Sequence, residues 1–344
     1  MMKKKIGIYT FNDNTNFGNR LQNYATQVLL EEYGTVENAM PKFRNCAEQL
    51  KYYLWCLMGH GLEKKFPSKS YRVYHFLKFD HNIKYTTTRD KIYDAYVYGS
   101  DQIWNPLFQK KDLINPHTPA KNNIAFAASI GIDSIPIEYD KLFRIGLDKF
   151  KAISVREDTA ADIVEKYTGT RPVVLMDPTL CLSSNAWSEL ETLPDCNFSK
   201  PYLLLYFLGE ISSERKEKIG QFAEENNLCI INLLDEKLYD KLSPSDFIFL
   251  IHHARFVLTD SFHGSVFSII FKRHFLVFNR EDGLSKMNSR IETLLNKFNF
   301  QWIDLDKVKK IDSGMFIHDY EKVDMVINEE IKKTKSFLDT AFTD

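Results

Sequence analysis

The stretch Leu258–Phe271 (LTDSFHGSVFSIIF) places a histidine, His263, among small and polar residues between two apolar runs. A strand over Arg255–Thr259 is expected to end just before Ser261, a suitable N-cap for the helix that follows. The N–H groups of a helix start bind anions, and Gly264 would let a ligand approach the backbone. Neutral His263 can donate one proton and accept another near pH 7. These residue types indicate an acid–base site, and the alternative is a histidine satisfied by a backbone carbonyl.

Two groups of cationic residues could hold an anion at the same site. Arg156 in ISVREDTAADIV ends a predicted strand, where a guanidinium can form two hydrogen bonds with a carboxylate or a phosphate. Lys286 and Arg290 in SKMNSRIETLL are spaced i, i+4, so both lie on one face of a predicted helix. The alternatives are a surface ion pair of Arg156 with Glu157 or Asp158, and an ordinary exposed basic helix face.

Two polar loops of the N-terminal half offer hydrogen-bond donors and a carboxylate. NDNTNFGNRLQNYA follows the first predicted strand and opens a helix, and Asn16, Asn19 and Arg20 add donors to the helical N–H groups. In YVYGSDQIWNP, Asp101 and Gln102 lie beside a tryptophan. That combination suits a sugar, which presents hydroxyls and an apolar face. The alternatives are a polar turn with an Asn cap, and a loop with a capping Asp and a tryptophan anchored in the core.

Short apolar runs and amphipathic stretches alternate along most of the chain, which is typical of βαβ units with parallel sheets. We predict an α/β protein of two Rossmann-like domains that face each other across a cleft, joined by the less periodic residues 183–200. The N-terminal domain is placed at 1–185, the C-terminal domain at 186–318, and a helix that packs back on the body at 319–344. Ligands of such folds bind beyond the carboxyl ends of the strands, where the loops above are expected.

Strands are predicted over Lys4–Phe11, Tyr96–Tyr98, Ile124–Ala127, Ala152–Val155, Val173–Met176, Tyr202–Phe207, Cys229–Leu233, Arg255–Thr259 and His274–Phe278. Helices are predicted from Leu21 to Tyr33 and near 211–226, 244–254, 262–272, 285–298 and 319–342, with one or two more in 43–80.

Composition limits the class of protein. The 344 residues are 44% hydrophobic with a formal net charge of −1, so packed cores are expected and a nucleic-acid partner is not. No apolar segment reaches the about 18 residues of a membrane span, and the first apolar run is too short for a signal peptide. The five cysteines lack metal-type spacing and indicate a cytoplasmic protein with reduced thiols. His252, His253 and His274 are expected to be structural or solvated.

Taken together, the loops resemble the polysaccharide pyruvyl transferase family. NFGNRLQNYA, YGSDQIWNP, FAASIG, ISVRED, VLMDPT and VLTDSFHGSVFSIIF occur in the order seen in that family, and SKMNSRIETLL is similar to its C-terminal motif. The resemblance covers roughly residues 5–300, within which no match is recognised for residues 43–80. It implies a GT-B-like fold, with two Rossmann-like domains and a C-terminal helix that crosses back, in agreement with the layout above.

The resemblance also implies an activity: transfer of the pyruvyl group of phosphoenolpyruvate to two hydroxyls of a sugar, giving a pyruvate ketal and phosphate, with no metal and no cofactor. His263 would be the acid–base group and Arg156 an anion clamp, while Asp101 would deprotonate or orient a hydroxyl. The donor site would contain Arg156, Ser261, His263, Gly264, Lys286 and Arg290. The acceptor site would contain Asn16, Asn19, Arg20, Asp101 and Gln102.

The implied acceptor is a sugar or a lipid-linked oligosaccharide of a capsule, exopolysaccharide or cell-wall pathway. A lipid-linked acceptor would bring the protein into peripheral contact with a membrane, without a membrane span. Two alternative hypotheses stay open: a GT-B glycosyltransferase that uses a nucleotide sugar, and a non-catalytic member of a polysaccharide pathway.

Overall fold

The computed structural model of the chain contains two parallel β-sheets surrounded by helices. The residues it describes are 3–12, 16–40, 50, 54, 68–88, 91–108, 110–196, 198, 200–280, 289–300, 307–316 and 318–343. The strands are β1 (Lys4–Tyr9), β2 (Gly34–Asn38), β3 (Ala95–Tyr98), β4 (Asn123–Ala128), β5 (Ala152–Val155), β6 (Val173–Val174), β7 (Tyr202–Tyr206), β8 (Cys229–Asn232), β9 (Phe256–Thr259) and β10 (His274–Val277). The α-helices are α1 (Phe17–Leu30), α2 (Ser68–Phe79), α3 (Lys111–Ile114), α4 (Asp140–Leu147), α5 (Asp158–Thr168), α6 (Ser184–Ser188), α7 (Ser213–Glu225), α8 (Glu236–Tyr239), α9 (Pro244–His252), α10 (Phe262–Ile270), α11 (Ser289–Lys297) and α12 (Val323–Phe342).

Both sheets have the same winding. The N-terminal sheet has the order β2-β1-β3-β4-β5-β6, and the C-terminal sheet has the order β8-β7-β9-β10, with parallel pairing throughout. Each order reverses beside its first strand, which opens a crevice between β1 and β3 and another between β7 and β9. The prediction of an α/β protein with two Rossmann-like domains in a GT-B-like arrangement is confirmed.

Helices cover both faces of each sheet, so the central strands are predominantly apolar. Every residue of β4 and of β7 is buried. Sequence analysis missed β2, because an edge strand with one solvent-facing side needs little apolar sequence. Its sequence, GTVEN, has Val36 as its single large apolar residue. In the segment 43–80, α2 is observed, while 43–49, 51–53 and 55–67 lie outside the described residues.

The two domains share one apolar core, because α1 packs on the C-terminal domain. The ring of Phe17 in α1 stacks between Phe76 of α2, at 5.1 Å, and Phe247 of α9, at 5.0 Å. Trp187 of α6, in the link between the domains, contacts Phe267 of α10 at a centroid distance of 5.0 Å. This shared core fixes the start of α1 against the start of α10, and the candidate site lies there.

Helix α12 contacts both domains, as the predicted crossing helix should. Near its start, Asp324 pairs with Lys272 of the C-terminal domain at 2.7 Å. At its end, Phe342 stacks on Tyr33 of the N-terminal domain, with centroids 4.8 Å apart. Although α12 has 20 residues, neither it nor any other described helix is apolar enough to cross a membrane.

Candidate active site

Loops from the two domains meet in the cleft and bring five charged or titratable side chains together. Asp101 follows β3, Arg156 follows β5 and Asp177 follows β6, while His263 lies in the first turn of α10 and Arg290 in the first turn of α11. Two pairs of side chains come close across the two domains. His263 Nε2 lies 3.6 Å from Asp177 Oδ2, and Arg290 Nη1 lies 4.0 Å from Asp101 Oδ1. All five are at least nine-tenths buried. We call them the charged cluster.

Asp177 connects the arginine and the histidine of the charged cluster. Its Oδ2 lies 2.8 Å from Arg156 Nη2, while its Oδ1 accepts hydrogen bonds from the N–H and the hydroxyl of Thr179 at 2.9 and 2.6 Å. Burial by itself would raise the pKa of Asp177. Arg156, His263 and Thr179 lower it by more than burial raises it, so the net pKa lies well below its usual range. Asp177 is therefore a fixed negative charge between two potential cations.

Arg156 is positioned by several contacts yet keeps binding capacity. Its Nη2 donates to the Ser100 hydroxyl, which in turn donates to the Ala127 carbonyl at 2.9 Å. The guanidinium carbon lies 5.2 Å from the ring centroid of Phe262. Among the described residues, Arg156 Nε and Nη1 have no hydrogen-bond partner although they are buried. Such donors are available to a ligand or to water, because buried polar groups are normally paired.

Unusual backbone conformations shape the loop that carries Ser100. The φ angle is 68° at Asp101 and 46° at Ala127, where β4 shifts its register against β5. The side chain of Gln22 holds this loop, because its Oε1 accepts from the Ser100 N–H at 3.1 Å. Positive φ angles at non-glycine residues persist only where surrounding contacts impose them, and they concentrate at functional sites.

His263 lies between the two domains with both ring nitrogens facing protein. A Cβ atom placed on Gly18 of α1 would lie 2.0 Å from His263 Nδ1, so the ring fits only because residue 18 has no side chain. Ser261 caps α10 as predicted, accepting from the Gly264 N–H at 3.4 Å. The prediction that Gly264 contacts the donor stays a prediction; a Cβ atom there would lie 2.4 Å from Thr259 Oγ1. Gly264 accommodates the threonine.

The contact between Gly18 and His263 gives a prediction about stability. Gly18→Ala should destabilise the protein by about 1–3 kcal/mol, the usual cost of overpacking a close contact. In a His263→Ala background the same change should be neutral or stabilise by about 0.5 kcal/mol, because alanine is the better helix former. Urea unfolding of the wild type, both single variants and the double variant measures this reversal of sign. Equal effects of Gly18→Ala in both backgrounds would show that the ring does not pack there.

Asp101 and Arg290 form the second contact between the domains. Asp101 Oδ2 accepts from Asn19 Nδ2 at 3.3 Å, and its Oδ1 accepts from the Gln102 N–H at 2.8 Å. Burial raises the pKa of Asp101, but Arg156, His263 and Arg290 outweigh it, and the net pKa is lowered. The pKa of Arg290 is lowered, chiefly by burial. Its guanidinium carbon lies 5.3 Å from the ring centroid of Phe262, so this ring contacts both arginines.

The alternative interpretation of Arg156, a surface ion pair with Glu157 or Asp158, does not hold, because Arg156 is buried and pairs with Asp177. The Glu157 side chain is fully buried, and Oε1 accepts from the Ser129 hydroxyl at 3.0 Å and from the N–H groups of Ile130 and Gly131 at 2.8 and 3.0 Å. Glu157 thereby joins the FAASIG loop to the end of β5. Its charge also raises the pKa of Arg290 against the effect of burial.

Asp260, at the end of β9, joins the loops of the second crevice. Its carboxylate accepts from the N–H groups of Leu208 and Gly209 after β7, at 2.6 and 2.8 Å. This contact fixes the backbone that leads into Ser261 and the start of α10.

The remaining predicted residues have varied positions. Asn16 is exposed and caps α1. Gln102 is buried, and its Nε2 has no hydrogen-bond partner among the described residues. Arg20 was predicted to contact the acceptor, but its side chain forms a buried ion pair instead. Its Nε is 3.1 Å from Asp80 Oδ1, and both side chains are 1% exposed. Lys286 lies outside the described residues.

Sequence reasoning gave Asp177, Ser100, Gln22 and Glu157 no place in the candidate site, although each lies in a motif that it quoted. The signal available was position: Asp177 in VLMDPT and Ser100 in YGSDQIWNP both follow a predicted strand. Polar residues at the carboxyl ends of parallel strands are candidates for the site as a group.

The low pKa of Asp177 predicts how stability depends on pH. A carboxyl whose pKa is lower in the folded protein adds stability above its unfolded pKa of about 3.9, and that stability is lost as the pH falls. Asp177→Asn should therefore cost about 3 kcal/mol at pH 7, since it leaves the buried Arg156 unpaired, and the deficit should shrink below about pH 4. Urea unfolding between pH 3 and pH 7 measures it. Asp112→Asn, at a side chain 85% exposed, is the control and should change little. A deficit that does not depend on pH would contradict an ionised Asp177.

The fold and the charged cluster define a two-domain α/β protein with two arginines, two aspartates and one histidine buried in its cleft. The sequence model of the polysaccharide pyruvyl transferase family matches residues 16–282, which is most of the chain. The chain therefore belongs to this transferase family, and Asn19, Asp101, Arg156, Asp177 and His263 lie inside the matched region. No curated protein matches the sequence.

Solved structures with a similar course of the chain are distant in sequence. A protein of Listeria monocytogenes described as a UDP-N-acetylglucosamine 2-epimerase is 11% identical, with 98% of this chain and 88% of that chain covered and a TM-score of 0.47. The UDP-GlcNAc 2-epimerase of Neisseria meningitidis is 11% identical over 96% and 100% of the two chains, with a TM-score of 0.43. UGT2 of Phytolacca americana is 12% identical over 99% and 100%, also at 0.43. At these scores the fold assignment depends on the two sheets described above.

Proposed function

We propose that this protein transfers the pyruvyl group of phosphoenolpyruvate to two hydroxyls of a sugar in a surface polysaccharide or its precursor. The observation that carries the proposal is the pair of buried guanidiniums of Arg156 and Arg290, both packed against Phe262. Nε of each is buried without a hydrogen-bond partner among the described residues. Phosphoenolpyruvate carries a phosphate and a carboxylate, and guanidiniums bind both groups with paired hydrogen bonds.

Two helix starts lie beside the charged cluster. Helix α1 begins at Phe17 and α10 begins at Phe262, and the contact between Gly18 and His263 holds the two starts together. Each helix start carries a partial positive charge and N–H groups that point away from the helix. Two arginines and two helix starts favour a ligand with more than one anionic group, as the proposed donor has.

The proposed reaction conserves protons. Carbon 3 of phosphoenolpyruvate gains a proton, a sugar oxygen bonds to carbon 2, and the carbon–oxygen bond to phosphate breaks. The second hydroxyl then bonds to carbon 2 and closes the ketal. Of the two hydroxyl protons released, one balances the proton delivered to carbon 3, and the other leaves with phosphate as hydrogen phosphate.

His263 is the proposed proton donor to carbon 3. Histidine is the side chain that most often serves as a general acid or base, and a positioned group of this kind accelerates a reaction by about 10²–10⁴-fold. Its Nε2 lies 3.6 Å from Asp177 Oδ2, just beyond hydrogen-bond distance. The ionised Asp177 would stabilise the imidazolium that exists before the proton is transferred.

Asp101 is proposed to orient an acceptor hydroxyl and not to deprotonate it. Its pKa is lowered by the surrounding cations, so its carboxylate is a weak base. It remains a strong hydrogen-bond acceptor, and Asn19 fixes its orientation.

The proposed function is tested by following phosphate release from phosphoenolpyruvate with a panel of sugars and lipid-linked oligosaccharides. Mass spectrometry should show a product heavier than the acceptor by one pyruvate less water. The same panel is run with nucleotide sugars as donors. A nucleotide sugar consumed in the absence of phosphoenolpyruvate would overturn the proposal in favour of glycosyl transfer. Absence of turnover and of phosphoenolpyruvate binding would favour a non-catalytic protein.

A further inference from the structure

Outside the cleft, one glutamate and two consecutive histidines converge where the link between the domains meets α9. His252 Nδ1 lies 2.6 Å from Glu191 Oε1, and His253 Nε2 lies 3.1 Å from Glu191 Oε2. One ligand atom from each of the three side chains lies within 4.8 Å of the other two. In the part of the chain that the structure describes, no other three His, Cys, Asp or Glu side chains are so arranged. We call these three residues the Glu191 cluster.

Aromatic contacts hold both imidazole rings in place. The ring of His252 stacks on Phe271 at a centroid distance of 4.2 Å and an interplanar angle of 15°. The ring of His253 packs on Phe249, also at 4.2 Å, and its backbone N–H donates to the Phe249 carbonyl at 3.0 Å. Rings fixed in this way lose little conformational entropy when they bind a ligand.

The local charge favours a cation. His252 is the last residue of α9 and His253 is its C-cap, so both lie at the partly negative carbonyl end of the helix. The Glu191 carboxylate, only 12% exposed, adds a full negative charge between the two rings. Neutral imidazoles each offer one lone pair to a metal ion, as histidine does in most metal sites.

We propose that the Glu191 cluster binds one divalent transition-metal ion of the class that includes Zn²⁺, Co²⁺ and Ni²⁺. Two imidazole nitrogens and one carboxylate oxygen suit these ions, whereas Ca²⁺ and Mg²⁺ prefer sets made of oxygen alone. The ion would take the place of the two hydrogen bonds to Glu191, with small side-chain shifts bringing each ligand atom to about 2.0–2.2 Å, and water would complete its coordination.

Metal binding would fasten the link to the C-terminal domain. The link is already tied to the other end of α9, where Thr192 donates to the Ser245 carbonyl and, through its hydroxyl, to Asp246 at 2.5 Å. A metal on Glu191, His252 and His253 would bind folded protein and not the unfolded chain, so it would stabilise the fold by mass action. This role is independent of the chemistry in the cleft.

The test is a titration of the metal-free full chain with Zn²⁺ by calorimetry and with Co²⁺ by absorbance, together with melting curves. We expect one site per chain and a melting temperature that rises with Zn²⁺. Glu191→Gln and His253→Gln should each weaken binding at least about 10-fold, the lower range for disturbing even the outer shell of a metal site. His117→Gln removes an 80% exposed histidine that pairs with Asp112, and it should bind Zn²⁺ as the wild type does.

Two results would overturn the metal site. One is no uptake above that of a chelator-treated blank. The other is equal uptake by the wild type, Glu191→Gln and His253→Gln, which would assign the binding to cysteines or other surface groups. Far-UV circular dichroism of the variants establishes that they are folded. Assays of phosphoenolpyruvate turnover with chelator present keep this outcome separate from that of the proposed function.

Discussion

His263→Gln should bind phosphoenolpyruvate yet turn over about 10²–10⁴-fold more slowly than the wild type. Glutamine can keep a hydrogen bond to a ligand oxygen, but it cannot deliver a proton to carbon 3. The remaining activity should also lose the limb of its pH profile that His263 contributes. Initial rates of phosphate release between pH 5 and pH 9, with donor affinity from calorimetry, measure the three quantities. His274→Gln is the matched control. His274 contacts the Phe316 carbonyl and is the first residue of β10, at the end of the strand opposite to the cleft.

A structural role for His263 predicts a different pattern. The ring is 7% exposed and fills space between α10 and Gly18, so some loss of stability is expected on substitution. A residue at the open mouth of a cleft would behave differently, because its substitution would change the free energy of unfolding little. Rates must therefore be expressed per folded molecule. A drop in melting temperature with turnover per folded molecule retained would end the case for His263 as the proton donor.

Arg156→Lys should lower kcat/KM for phosphoenolpyruvate by about 10–100-fold, corresponding to the loss of one charge-assisted hydrogen bond of about 1.5–3 kcal/mol. Lysine keeps the charge beside Asp177 but has no planar group to reach Asp177, Ser100 and a ligand together. The loss should appear mainly as a raised KM for the donor. Steady-state kinetics with varied phosphoenolpyruvate at a saturating acceptor measure it.

Arg144→Lys is the control for Arg156→Lys, because Arg144 forms an exposed i, i+4 pair with Asp140 and should tolerate the change. If Arg156→Lys kept full kcat/KM while the protein melted at a lower temperature, Arg156 would be a structural partner of Asp177 and not a ligand of the donor.

Much of the fold could be predicted because helices cover both faces of each sheet. Full burial favours continuous apolar runs, and such runs can be recognised in a single sequence. The predicted strand at Ala152–Val155 matches β5, and the predicted bounds of β9 and β10 each differ from the observed bounds by one residue. The edge strand β2 was missed for the same reason, since half of its residues need not be apolar.

The candidate site was predicted in part. Strand-end position singles out Arg156, Asp101 and His263, because loops at the carboxyl ends of the strands face the ligand crevice in parallel α/β domains. It does not distinguish a residue that binds a ligand from one that holds another residue, which is why Asp177 was not recognised as the partner of Arg156 and Glu157 was not recognised as a buried support of the FAASIG loop.

The sequence by itself determined the two Rossmann-like halves, the polar residues at the ends of their strands and the family resemblance. These depend on apolar periodicity and short motifs, which are local properties of the chain. Only the tertiary structure decided that Arg156 pairs with Asp177 and not with its neighbour Glu157, and that His263 packs on Gly18. Those contacts join segments that are far apart in the sequence. The packing of the chain in three dimensions decides which charged side chains become partners.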